Sequence, residues 1–296
     1  MLFRSAFLMA MTSLSNVHGP AAYLHNTGSL LPGAPCLGAW ISYGLGSLSE
    51  NLPAFVALPD PRGLPYNGRS AFTAGYLPPN HQGTLVNSTA REPITHLHPP
   101  GDMAHVTAES RRDELALLRE INEHHAAERP DDLRLRARMD SYELAARLQT
   151  AAPELLDVGG ETEATRRLYG LEEPATRDFG RNCLLARRMI ERGVRFVQVW
   201  SGPGGAKDNW DNHGNIEKEL GFVARATDRP TAGLYLDLKA RGLLEDTLLI
   251  WTTEFGRMPF SQGSVGRDHN GGTFVSWMAG AGIRPGVAHG ASDPWS

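Results

Sequence analysis

The sequence predicts an α/β fold built on a mostly parallel sheet. Short apolar runs of strand length alternate with helical stretches through the C-terminal third, and that alternation is the mark of βαβ units. The runs are bounded by Gly and Pro and read as buried strands. At 296 residues, 41% of them apolar, the chain has ample material for a large core.

From the N-terminus, Arg4 precedes an apolar run, Ala6 to Met11. It is expected to be a buried segment of the fold. The alternative, a short export leader, is disfavoured by the length of the run and by the poor cleavage site at Ser13-Leu14-Ser15. Ala54 to Leu58, between Pro53 and Pro59, reads as a buried strand. Residues 61–108 carry so many Gly and Pro that they read as one long loop, expected to be functional or a cover. Residues 109–190 read as helices. Leu115, Leu117, Leu118 and Ile121 line one side of the first, and Pro130 ends it. A helix through Ala186 to Arg192 leads over Gly193 into a strand, Val194 to Trp200. The next helix spans about Ile216 to Arg241, with an interruption expected near Pro230 and a cap at Gly242. Leu248 to Trp251 is the next strand, expected in the same mostly parallel sheet. Residues 252–272 show no helical period, so Phe274 to Ala279 is expected to return antiparallel.

Composition excludes several classes. The net charge of −4 argues against a general nucleic-acid or membrane-surface binder. No run of about 18 apolar residues exists to span a membrane. Two distant cysteines, Cys36 and Cys183, make neither a disulfide scaffold nor a Cys-type zinc module.

In open α/β sheets, sites lie beyond the carboxyl ends of strands. Past Trp200 comes Asp211-Asn-His213; past Trp251 comes Glu254-Phe-Gly-Arg257; ahead of Phe274 comes Arg267-Asp-His269. Carboxylates and imidazoles gathered there could hold a divalent ion with an open position. Each cluster taken alone is as readily a turn, a cap or a salt bridge, and without metal the same groups could form an acid–base pair. Ser201 to Gly205 lacks the signature of a phosphate loop and reads as a plain turn. His124-His125 reads as exposed helix surface, and His96 and His98 as residues of a Pro-rich loop with no supported role.

Further motifs carry a resemblance. His18-Gly-Pro-Ala-Ala-Tyr-Leu-His-Asn-Thr-Gly28, Leu37 to Gly46, Asn51 to Val56, Tyr142 to Ala145, Trp210-Asp-Asn-His213, Glu254-Phe-Gly-Arg257 and Gly266-Arg-Asp-His269 resemble a bacterial family known as domain of unknown function 1501. That family is similar to the alkaline phosphatase and sulfatase superfamily, which hydrolyses phosphate or sulfate esters at one or two divalent metals. The resemblance implies a three-layer α/β/α sandwich as a single domain over residues 1–296, incomplete at both ends, with a loop-rich and helical insertion at 61–190. It implies that Asp211, His213 and His269 hold one ion, with Glu254 bridging or completing the set and Asp268 beside it. Zinc is the expected metal; calcium, magnesium and manganese are the alternatives.

The superfamily's second site would need an imidazole where Phe255 stands, and a carboxylate after a first strand expected to lie ahead of residue 1. Its nucleophile heads a helix nine residues before a Thr-Gly. Here His18 stands nine positions before Thr27-Gly28, with Pro20 in place and Ala22 where the motif has Arg. His18 is thus expected as base or attacking group, with Arg257 and Arg267 stabilising charge on a small-molecule or carbohydrate ester. The family resemblance also implies export. The competing reading is a non-catalytic metal- or carbohydrate-binding protein, using the 61–108 loop and Tyr66, Phe72 and Tyr76.

Overall fold

The structure, a computed structural model, describes residues 4–95, 97, 107–205 and 208–292. His96 and His98 lie outside them. Strands and helices mix as expected, but over two main sheets instead of one. The first sheet is three-stranded and wholly parallel. Its centre is β2 (Phe55–Leu58), flanked by β3 (Thr84–Leu85) and β4 (Phe196–Val199). All four residues of β2 are buried, as the central strand of a parallel sheet requires. Val56 and Leu58 pack against Leu148, Leu155, Leu185 and Met189. Phe55 and Ala57 pack on the opposite side against Ala39 and Phe72. The two-residue period of a strand thus delivers its side chains to two separate core clusters.

Helices α1 (His18–Thr27) and α2 (Leu37–Leu45) precede β2, and α3 (Ala108–Ala127), α4 (Leu133–Leu156), α5 (Glu163–Leu168) and α6 (Arg177–Glu191) lie between β3 and β4. Of the stretch expected to be an insertion, β3 extends the parallel sheet and α6 supplies core residues. Phe72 is buried in the α2 cluster and so is unavailable to a ligand. The apolar side of α3 (Leu115, Leu117, Leu118, Ile121) is exposed among the described residues, so its amphipathic pattern does not mark a core-facing helix here. Cys36 and Cys183 are both buried and free.

The second sheet has the order β5 (Leu249–Trp251), β8 (Phe274–Ala279), β1 (Ala6–Met11), β9 (Val287–His289). Strand β8 runs antiparallel to both β1 and β5, as its short return predicts, and β1 runs parallel to β9. One expectation is corrected here. The segments β4 and β5 are not partners in one parallel sheet, because β5 pairs with the returning β8. The apolar run expected to be a buried segment of the fold is β1, which precedes the helix that begins at His18. A second correction concerns α7 (Ile216–Ala240), which passes through Pro230 without a break. Its buried face of Val223, Thr227, Gly233, Leu234 and Leu238 continues on both sides of the proline. That packing offsets the ~3 kcal/mol a proline costs a helix interior. Gly242 follows the helix at φ 73°, the left-handed conformation expected of it. A two-stranded ribbon of β6 (Gly256–Arg257) and β7 (His269–Asn270) completes the fold and pairs Arg257 with His269. Among the described residues no helix is long and apolar enough to cross a membrane.

Candidate metal centre

Three backbone contacts bring distant segments together. The turn after β1 is tied to the end of β7: Ser13 N–H donates to Gly271 O at 2.8 Å, and Gly271 N–H to the Asn16 side chain at 2.6 Å. The turn after β4 is braced by Asn209, whose Oδ1 accepts from Asp211 N–H at 2.8 Å. Two residues past His213, Asn215 caps α7 through Lys218 N–H. That same turn is fastened to the ribbon, with Arg267 N–H donating to Asn212 O at 3.2 Å.

These ties place His18, Asp211, His213, Glu254, Arg257 and His269 in one cluster. Asp211 Oδ1 is its hub. It lies 2.7 Å from His213 Nε2, 2.9 Å from His269 Nε2, 3.0 Å from His18 Nε2 and 3.0 Å from an Arg257 guanidinium nitrogen. His213 Nε2 and His269 Nε2 are themselves 2.9 Å apart, a contact that cannot form between two protonated nitrogens. The outward ring nitrogens are all engaged. His18 Nδ1 donates to Glu254 Oε1 at 2.5 Å, His269 Nδ1 to the backbone oxygen of Asn16 at 2.5 Å, and His213 Nδ1 to Gln262 Oε1. Acceptors on every Nδ1 put the ring proton there and turn an Nε2 lone pair inward. That is how metal-binding imidazoles are held.

The electrostatics follow from this packing. Burial alone would raise the Asp211 carboxyl, but hydrogen bonds from His269 and Arg257, with the His18 ring alongside, outweigh it and hold the group well below the ordinary carboxylate range. Glu254 is likewise raised by burial and lowered further by His18, with a net downward shift. Burial would lower His18, but its hydrogen bond to Glu254 and the charge of the adjacent Asp211 carboxylate leave it above its ordinary value.

The remaining sequence candidates take other places. Asp268 is exposed, accepts His269 N–H at 2.8 Å, and forms with His213 and His269 a second group whose donor atoms lie within 4.8 Å of one another. Arg257 is fully committed, donating to Trp210 O at 2.9 Å, Arg267 O at 3.2 Å and Asp211. Arg267 braces the loop through its backbone, and its guanidinium donates to Gly266 O at 2.9 Å. Glu254 accepts from His18 Nδ1 at 2.5 Å and from the Thr253 hydroxyl at 3.0 Å. Asn16 and Gln262, which fix two imidazoles, were not singled out by any motif; Tyr66 was expected only as an aromatic of the 61–108 loop. The Tyr66 ring stacks flat on His18 at 4.5 Å.

Gly266 is required for this arrangement. A Cβ there would lie 1.7 Å from the backbone oxygen of His213. Gly266→Ala is expected to push the His213 turn away from the ribbon, costing ~1–3 kcal/mol of stability. Thermal unfolding with and without added Zn²⁺ checks this: the variant should melt lower and gain less from the ion than the wild type.

A family model described as a protein of unknown function, DUF1501, matches residues 4–296. No curated protein and no solved structure matches the chain.

Proposed function

The chain belongs to the DUF1501 family, and from its site we propose that it is a metal-dependent hydrolase of phosphate or sulfate esters. The observation that carries this reading is the convergence of Asp211 Oδ1, His213 Nε2 and His269 Nε2 within 2.9 Å of one another, each imidazole oriented from behind. A tetrahedral ion spreads such donors to about 3.3 Å apart, so a small outward shift accommodates it. When bound, the ion would act as a Lewis acid and lower the pKa of a coordinated water towards about 7.

The chain's own residues supply the rest. Asp211 brings the negative charge that a divalent ion requires, and Arg257 fixes its direction. Asn16 and Gln262 hold the two imidazoles in the tautomer that binds. With Arg257 spent on Asp211, the less committed Arg267 is the candidate cation for an anionic substrate. Helices on both sides of the parallel sheet support a three-layer, alkaline phosphatase-like architecture. The same resemblance supports zinc as the ion, a small-molecule or carbohydrate ester as substrate, and export.

The test is direct. The purified chain should carry zinc and turn over an aryl phosphate or aryl sulfate. His213→Ala should lose both, with turnover falling by more than about 100-fold, since even changes to outer partners cost 10–100-fold. Bound zinc without turnover of either ester would favour a binding protein on this scaffold.

A further inference from the structure

We infer that His18 is itself a donor to the ion, so that the chain offers three imidazoles and one carboxylate, a set that selects a transition-metal ion such as Zn²⁺ over Ca²⁺ or Mg²⁺. This rests on the metal-dependent reading above and goes past it, giving position 18 a role other than attack on the substrate.

Four observations point this way. His18 Nε2 lies 3.0 Å from Asp211 Oδ1 but is out of line for a hydrogen bond, and it is a buried nitrogen with no hydrogen-bond partner. A buried polar atom left so is costly unless something else occupies its lone pair. Its other nitrogen is held by Glu254 just as Asn16 holds His269 and Gln262 holds His213, so all three rings follow one pattern. Donor atoms of His18, Asp211 and His269 fall within 4.8 Å of one another, the span of ligands around a single ion. Finally, the His18 ring is enclosed. Tyr66 stacks on it at 4.5 Å, Phe255 lies at 4.8 Å, and His269 meets it edge-on at 4.4 Å. The residue is only 8% exposed. A nucleophile needs an approach to the reacting atom; a ligand needs only a fixed direction.

The donor chemistry then sets the metal class. Imidazole suits Zn²⁺, Cu²⁺, Fe²⁺ and Ni²⁺, whereas Ca²⁺ and Mg²⁺ take oxygen ligands almost exclusively. A centre with three nitrogens and one oxygen therefore discriminates against the two abundant hard cations.

The experiment is a titration of the chelator-stripped full chain with Co²⁺, read by its visible absorption and by competition with Zn²⁺. Wild type is expected to bind cobalt, with millimolar Ca²⁺ or Mg²⁺ failing to displace it. Glu254→Gln, which keeps the size of the side chain, should bind 10–100-fold more weakly. His18→Ala should bind more weakly still and change the cobalt spectrum, because a nitrogen leaves the ion. Unchanged affinity and spectrum in His18→Ala, or displacement by Ca²⁺, would overturn the inference while leaving three-ligand hydrolysis standing. Failure of wild type to bind any transition ion would overturn both. If His18→Ala does not fold, Glu254→Gln decides: unchanged affinity there counts against His18 as a donor.

Discussion

Asp211→Asn is expected to abolish ion binding, lowering affinity by well over 100-fold and removing hydrolysis with it. The oxygen it alters is the point on which His18, His213, His269 and Arg257 converge. An amide of the same shape keeps the contacts but not the charge. The centre would then offer neutral imidazoles beside an unneutralised Arg257 guanidinium, 3.0 Å from the altered oxygen, and that cation would repel an incoming divalent ion. Calorimetric titration with Zn²⁺ reads the affinity. Circular dichroism confirms that the chain still folds. Binding within tenfold of wild type would show that Asp211 is not the hub.

Arg187→Met is expected to cause the largest loss of stability of any single change outside the centre. Arg187 is 2% exposed, and its guanidinium lies 2.8 Å from Glu161, 2.6 Å from Glu191 and 3.0 Å from Asp237. Arg188 also reaches Glu161, while Arg241 and the Tyr169 hydroxyl reach Asp237. The network ties α6 to α7 and to the turn before α5. Removing its central cation leaves buried carboxylates short of a partner, which costs about 3–5 kcal/mol and lowers the melting temperature by roughly 10 °C.

The pH dependence of this network has a definite sign. Burial raises Glu161, but hydrogen bonds from Arg188 and Arg187 outweigh it, and the net shift is downward from 4.5. Its contribution is therefore complete above the ordinary carboxylate value and is lost as pH falls through the lower folded one. Urea unfolding across the acid range should show a shallower loss of stability in Arg187→Met than in wild type. Equal slopes would mean that Arg187 does not hold Glu161 in its charged form.

Local patterns were legible in the sequence, and so was the set of side chains that converge. Strand and helix alternation placed β4, α7 and β8, and Asp211, His213, Glu254 and His269 do meet, although β4 and β5, the strands ahead of the first three, belong to different sheets. What escaped was set by tertiary contacts. Pro230 signals a break, yet α7 runs on because its buried face continues past the proline. The apolar stripe of α3 has the period of a packed helix, but period does not say what it packs against. Glu254 and His18 both stood out, but which of them faces the hub depends on side-chain direction, and spacing carries no such information. Asn16 holds His269 through a backbone oxygen, which no side-chain motif can reveal.

The cluster draws its groups from both ends of the chain. Asn16 and His269, joined by a hydrogen bond, are 253 positions apart. An ion held by His18, Asp211, His213 and His269 would thus act as a cross-link closing a loop of most of the polypeptide. On the chain-entropy scale applied to disulfides, such a closure is worth about 5 kcal/mol. Chelation would loosen not one pocket but the register of the four-stranded sheet against the turn that leads into α7, and the chain's cooperativity would track its metal supply.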